Sequence, residues 1–484
     1  MRFAPVLHVL SLVILLFAGC MLIPLGYSFF SQDGAQHVYD KAIAATALAG
    51  GLLWIATRRA KRELQIRHGF LLVALIWSVL PAFATLPLLL YLPQLSFTDA
   101  YFEAVSGLTT TGATVLSGID GLPPSINLWR GLLVWIGGMG IIVLTVAILP
   151  LLGVGGAQLY KAETPGPMKD SKLTPRITET AKGLWLVYFA ISALCLLAYR
   201  WAGMDWFDAL MHAITTMGLG AFSSHDASFA YWNSPRVEGV AVVFMLVAAI
   251  NFGTHFLAWR KLSLRPYRAD PEAGLFAAIT LASIFGIAFF LLAYGVYPDW
   301  TTALRFAAFN VVSIATTTGY SSADFSQWPV FAPLWMLFVG SFVSCSGSTG
   351  GGLKMIRGVV LFKQLFRELQ RSIHPRLYNP VKIGGHPIEN KVVFAVLAFV
   401  FLYVTCIALM TLLLTASGMD VLSAFSAVVA CINNTGPGLG QVGPASTYAA
   451  LSDFQIWVCS LTMLLGRLEI FTLLVVLSPA FWRR

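Results

Sequence analysis

Long apolar runs recur along this 484-residue chain, separated by short amphipathic stretches and small clusters of Thr, Asn and Gly. Residues 3–30 are apolar, with Arg2 ahead of them. A cleaved leader would end near Ala18-Gly19-Cys20, but the apolar run continues well past Cys20, so a retained membrane helix is expected. A second span, about residues 42–56, needs flanking residues to reach the ~20 that cross a bilayer. A pattern of long span, short segment, Gly motif and long span then occurs four times. The first unit predicts helices over 70–92, 97–108 and 128–152, and the second over 184–201, 206–214 and 237–259. The third predicts 275–296, 301–314 and 331–365, and the fourth 392–416, 421–432 and 454–477. The short segments cannot cross a core ~30 Å thick, but they suit half-helices that enter and end mid-membrane. The expected organisation is an N-terminal helix pair (1–68) followed by units 69–182, 183–272, 273–390 and 391–484.

Each short segment leads into a motif: Thr109-Thr110-Thr111-Gly112, Thr215-Thr216-Met217-Gly218, Thr316-Thr317-Thr318-Gly319 and Asn433-Asn434-Thr435-Gly436. The glycines follow one another at 106, 101 and 117 residues, a spacing that suggests an internal repeat rather than four unrelated turns. Glycine lets the backbone turn its carbonyls toward one axis. A ring of such carbonyls replaces the hydration shell of a potassium ion. The half-helix C-termini would add partial negative charge, which favours a cation. The expected filter residues are Thr110, Thr111, Gly112, Thr216, Met217, Gly218, Thr317, Thr318, Gly319, Asn434, Thr435 and Gly436. Asp99, Asp205, Asp299 and Asp420 stand at or just before the starts of the half-helices, where a carboxylate caps them.

Composition agrees with a bilayer protein, with 57% hydrophobic and only 11% charged residues. The six cysteines lie in or beside apolar stretches without metal-ligand spacing, so they read as small buried hydrophobes. The net charge of +9 would suit nucleic acid, but its placement points to membrane orientation instead. Ten crossings put both termini on one side. The loops on that side carry Arg58, Arg59, Lys61, Arg62 and Arg67; Lys161, Lys169, Lys172, Arg176 and Lys182; Arg260, Lys261, Arg265 and Arg268; and Lys363, Arg367, Arg371, Arg376, Lys382 and Lys391. The opposite loops hold mainly Lys41, Arg130 and Arg236, with Asp33, Asp120, Asp226, Asp324 and Asp453. This is the positive-inside pattern, with cytoplasmic termini and all four filter mouths outside.

At these residues the chain resembles the TrkH branch of the Trk/Ktr/HKT potassium transporter superfamily. The resemblance covers essentially the whole length and is strongest in Thr317-Thr318-Gly319-Tyr320, which is similar to a potassium channel filter. The fourth motif departs most, with Asn433 and Asn434 in place of threonines and Pro437 after the glycine. The resemblance implies an all-α polytopic protein of the bacterial inner membrane, with four span–pore-loop–span repeats around a pseudo-fourfold pore. It also implies homodimers and a cytoplasmic nucleotide-binding ring that gates the pore. Potassium is the expected transported ion, and no cofactor is expected in this chain.

The last span of the third unit is too long and is interrupted by Gly340-Ser-Phe-Val-Ser-Cys-Ser-Gly347-Ser348-Thr349-Gly350-Gly351-Gly352. Irregular backbone at membrane depth is tolerated only where protein or a water-filled cavity covers it. A flexible gate under the filter is therefore expected at Gly347–Gly352, the alternative being a kink in a packed helix. Lys354 is followed by Met355, so the loop lacks the Walker-A ending. Gly137-Gly138-Met139-Gly140 lies inside an apolar span, where small residues permit close helix packing. Arg467, inside the last span with Glu469 two residues on, should face a partner or the pore. The resemblance also places an arginine there in the pore. His212 and His255 read as hydrogen-bonding helix residues. Rival classes are a sodium-permeable or ion-coupled carrier and a membrane-embedded enzyme using Cys345, Ser346 or Ser348. No Gly-x-Ser-x-Gly elbow surrounds those residues, and the repeats run in one direction rather than inverted.

Overall fold

The computed structural model describes residues 3–59, 66–140, 177–377 and 379–483. Helices dominate, and the strands among the described residues are Lys382–Ile383 and His386–Pro387, a minimal antiparallel hairpin in an otherwise helical chain. Helices α1 (Ala4–Cys20) and α2 (Leu22–Ser31) form one apolar run of 28 residues, and α3 (Gln36–Thr57) returns beside it. Val6, Val9, Val13 and Phe17 recur at helical spacing on α1 and are buried, because α1 packs on both α3 and α4 (Ile66–Tyr91). Two polar contacts fasten this N-terminal group to the body. Tyr39 donates to the Ser125 carbonyl at 2.8 Å, and the Ser125 N–H donates to Asp33 at 2.9 Å.

The chain continues as α5 (Phe97–Leu108), α6 (Pro124–Met139), α7 (Ile177–Ala202), α8 (Trp206–Gly218), α9 (Pro235–Ala248), α10 (Phe252–Lys261) and α11 (Arg265–Ala269). After these come α12 (Ala273–Ala293), α13 (Trp300–Ala315), α14 (Phe331–Gly340), α15 (Met355–Ile373) and α16 (Asn390–Ala416). The chain closes with α17 (Val421–Ile432), α18 (Asp453–Arg467), α19 (Phe471–Leu477) and α20 (Pro479–Trp482). The short helices α5, α8, α13 and α17 begin at Ser96, Asp205, Asp299 and Asp420, each of which accepts the backbone N–H three residues on. In the first of them Ser96 is the cap, not Asp99, which accepts the Ser96 hydroxyl at 2.7 Å.

Contacts between the helices run in a cycle. Helix α6 packs on α8, α9 on α13, α14 on α17, and α18 on α5, where the cycle closes. Two large apolar cores result, one joining α1–α6 to α16–α19 and one joining α7–α10 to α12–α14. Outside them, Leu186, Phe189 and Leu194 on α7, Phe285 and Phe289 on α12, and Phe394 and Phe401 on α16 are exposed. Rows of this kind suit lipid, and the molecule is a multi-pass membrane protein.

Among the described residues, six helices are long and apolar enough to cross a membrane, or eight with two bent pairs, against ten expected crossings. The expected span at 128–152 runs into residues outside the described set, as do Lys61, Arg62, Lys161, Lys169, Lys172 and Arg176. The expected span at 331–365 is two helices separated by residues 341–354. The other two expected spans are bent rather than straight. Helices α9 and α10 meet at 92°, and α18 and α19 at 113°. Asn251 caps α10 by accepting the Gly253 N–H, and Glu469 and Ile470 both take positive φ at the second bend. Positive φ on a β-branched isoleucine is unfavourable and is held by the surrounding packing.

Candidate functional site

The loops that follow the four short helices share one backbone path. Thr110, Leu219, Thr317 and Asn434 take positive φ of 60°, 53°, 61° and 53°. The next residue in each loop donates its N–H five residues back, into the helix end. The bonds are Thr111 to Ser106 at 2.8 Å, Gly220 to Thr215 at 3.1 Å, Thr318 to Ser313 at 2.8 Å and Thr435 to Ala430 at 2.8 Å. Asn tolerates the left-handed conformation, so Asn434 keeps the path of the threonines it replaces. Gly112, Gly319 and Gly436 therefore hold one equivalent position, with φ of 76°, 86° and 101°.

The second loop is displaced from its expected register. Helix α8 runs on to Gly218, leaving Thr216, Met217 and Gly218 inside the helix. The Thr215 hydroxyl donates to the Met211 carbonyl and Leu219 takes the left-handed cap, so the Thr-Thr pair belongs to the helix and not to the loop. Ala221 stands where the other loops carry glycine. The four segments converge there. A Cβ built on Gly112, Gly319 or Gly436 would lie 2.6, 2.9 or 3.1 Å from the Ala221 Cβ.

Side chains lock the loops from behind. Tyr320 meets the Thr215 hydroxyl at 2.5 Å, Tyr448 donates to the Gly436 carbonyl at 2.9 Å, and Asn434 donates to Thr111 at 3.0 Å. On the way out, each loop is buckled to its own short helix. Glu103 accepts from Thr114 and the Val115 N–H, and His212 meets Ser223 at 2.9 Å. Asn310 meets Ser322 at 3.0 Å, and Ser426 accepts the Leu439 N–H at 2.8 Å. Glu103 is also paired with Arg130 at 2.8 Å, both 1% exposed, and Arg130 lies over the Phe222 ring. Arg130 is thus a buried strut within α6 rather than a loop charge. Glu103 and Arg130 were missed as a pair, although a carboxylate in the apolar middle of the half-helix was the signal.

Residues 341–354 sit directly beneath this convergence. The Gly351 N–H donates to Thr317 at 2.8 Å, and a Cβ on Gly350 would lie 3.0 Å from the Thr316 carbonyl. The Thr349 hydroxyl donates to the Met217 carbonyl at 3.0 Å, Ser348 caps back to the Cys345 carbonyl, and the Gly347 carbonyl accepts the Phe252 N–H at the α9–α10 bend. Gly352 has φ of 78°. Arg467 donates to the Thr349 carbonyl at 3.2 Å, to the Gly138 carbonyl at 3.1 Å and to the Gly137 carbonyl. Gly137 and Gly138 admit no Cβ, since α6 lies against Leu108 and Gly218 there. Glu469 pairs with Arg357 at 2.8 Å. Sequence reasoning passed over two further groups. Lys354 is 4% exposed and donates to the Gly350 carbonyl. Glu272 accepts the N–H of Ser346, just before Gly347, and of Ile356 in the first turn of α15.

At the outer rim His225 bridges two carboxylates, Asp120 and Asp208 (3.1 Å to the latter), and stacks on Tyr231 with 3.5 Å between ring centroids. Burial lowers the basicity of this imidazole, but hydrogen bonds to Asp208 and Asp120 outweigh it and the pKa is raised. His212 bonds the Asp208 carbonyl through its other nitrogen, and His255 bonds Tyr267 and the Val247 carbonyl. All six cysteines are free, and five are buried.

Comparison with known proteins bears on this geometry. A family model described as TrkH, a cation transport protein, matches residues 35–484. The Trk system potassium uptake protein TrkH of Halomonas elongata is 48% identical, and the match spans 99% of each chain. The protein of that name from Escherichia coli K12 is 43% identical over the full length of both chains. Among solved structures, the potassium transporter TrkH from Vibrio parahaemolyticus matches with a TM-score of 0.90 and 42% identity, covering 100% of both chains.

Proposed function

Because this chain belongs to the TrkH family of cation transport proteins, whose relatives are named as potassium uptake proteins and not as enzymes, we propose that it carries potassium inward through a channel-like pore. The observation that carries this reading is the shared backbone path of the four loops and their convergence at Gly112, Ala221, Gly319 and Gly436. The four units surround one pseudo-fourfold pore, whose filter is built from Thr110, Thr111, Gly112, Thr317, Thr318, Gly319, Asn434, Thr435, Gly436 and the Leu219–Ala221 segment. The hydroxyl of Thr110 and the Oδ1 of Asn434 are buried with no protein hydrogen-bond partner, which suits groups that meet an ion. Short helices ending at this point add partial negative charge. Gly347, Ser348, Thr349, Gly350, Gly351 and Gly352 form the gate, and Arg467 holds it closed. The excess of basic residues on one side supports cytoplasmic termini in the inner membrane, and the resemblance supports a homodimer controlled by a cytoplasmic nucleotide-binding ring.

The test is potassium flux into proteoliposomes. A side chain at Gly112 or Gly319 meets the opposing loops, so Gly112→Ser and Gly319→Ser should each lower potassium uptake by about tenfold or more, or admit sodium. Folded variants with wild-type uptake and ion preference would dismiss the filter.

A further inference from the structure

Three of the four loops carry glycine at the point of convergence, with φ between 76° and 101°. The fourth carries Ala221, which does not take a positive φ. The register is fixed by hydrogen bonds and not by sequence likeness. Gly220 donates to Thr215 as Thr111 does to Ser106, so Ala221 follows Gly220 as Gly112 follows Thr111. The path is common to all four loops up to Gly220 and parts at Ala221.

Two consequences follow from that residue. An alanine outside the left-handed region turns its flanking peptides differently from glycines inside it, so this loop's carbonyl leaves the ring defined by the other three. Its methyl also faces the other three loops, within 2.6 to 3.1 Å of the points where side chains on the three glycines would stand. A methyl offers no oxygen to an ion. A potassium ion stripped of water needs oxygens around it, and one quarter of this ring supplies a hydrocarbon instead. Water then completes the shell. A site that leaves water on the ion discriminates less between potassium and sodium, which differ in the cost of dehydration.

We infer that Ala221 is a specificity-determining residue of this pore, and that its methyl lowers the preference for potassium over sodium. The inference rests on the filter reading given above. It makes the second loop the weak quarter of the ring, in place of the Asn-bearing fourth loop that the sequence singles out.

The experiment measures potassium and sodium uptake side by side in proteoliposomes containing the full-length protein, with folding checked by gel filtration. Ala221→Gly should raise the potassium-to-sodium ratio by at least about threefold. Ala221→Val, with a larger group facing the other loops, should lower potassium uptake. A folded Ala221→Gly protein with an unchanged ratio, alongside a Gly112→Ser protein that has lost potassium uptake, would overturn the role of Ala221 and leave the filter standing. Wild-type behaviour in Gly112→Ser and Gly319→Ser as well would overturn the filter, and this inference with it.

Discussion

At the residue scale, the Glu103–Arg130 pair ties two loops together. Arg130 reaches Glu103, Asn127, Thr114 and the Ser223 carbonyl, so one guanidinium braces the exits of the first and second loops. Removing one member of a buried pair leaves the other uncompensated. Arg130→Met should therefore destabilise the protein by about 3–5 kcal/mol. Replacing both residues by apolar ones should cost less than the sum of the single changes, as measured by denaturation in detergent. His225 gives the outer rim a pH dependence. Its pKa is raised by Asp208 and Asp120, so the stabilisation it brings is full below the ordinary histidine value of about 6.5 and is lost as pH rises through the raised value. The melting temperature should fall across that window, and His225→Gln should flatten the profile. A wild-type profile that rises with pH would contradict this.

At the scale of elements, the stretch 347–352 is flanked by Ser346 and Ile356, both held by Glu272, and is bonded between them to Arg467, Thr317 and the Met217 carbonyl. Its groups are bonded across several units, which suits the gate proposed above. A fixed positive charge ~4 Å from a passing cation repels it by roughly 4 kcal/mol at an effective dielectric of ~20. Arg467→Ala removes both that charge and a latch. It should raise basal potassium flux severalfold without changing the potassium-to-sodium ratio, and Glu272→Ala should do the same by freeing the backbone at Ser346 and Ile356. Unchanged flux in folded proteins would place the gate elsewhere.

The short helices were legible in the sequence because their signals are local: a capping Asp or Ser, a dozen residues, then Thr, Asn and Gly. The second loop was misread by three residues because Thr215-Thr216 imitates Thr109-Thr110. Whether a helix ends at such a pair depends on which residue takes the left-handed cap, and here Leu219 does so without a glycine. The bends after Ala248 and Arg467 were invisible for a related reason. Apolar composition runs straight through them, while the causes are tertiary: Gly347 docking on Phe252, and packing that holds Ile470 at positive φ. The break at 341–354 was legible because Gly350-Gly351-Gly352 cannot be a membrane helix. Lys354 was passed over because, as a motif, it belonged to nothing.

At the scale of the molecule, the positive-inside pattern of the sequence assigns the loops rich in basic residues to one side of the membrane. We propose that the ring subunit docks there. Cysteines placed at Lys182, Lys363 and Lys391 should crosslink to that subunit, while one at Asp324, on the opposite side, should not. Equal yields at all four positions would mean that the basic residues set orientation alone. Helix α15 leaves Phe362, Leu365, Phe366 and Leu369 exposed.

Closure of the cycle has a consequence for biosynthesis. The contact that completes it joins α18 to α5, and the Asn434–Thr111 bond links residues 323 positions apart. A chain threaded into the membrane from its N-terminus builds two or three units long before the fourth emerges. Contacts so distant in sequence form late. The axis on which the loops converge therefore does not exist in a nascent chain. Arg467 follows the fourth loop within the same last stretch, so on the filter and gate reading proposed above the two are completed late and close together. A chain stopped before α17 would lack both the Asn434–Thr111 bond and the helix contact that closes the cycle.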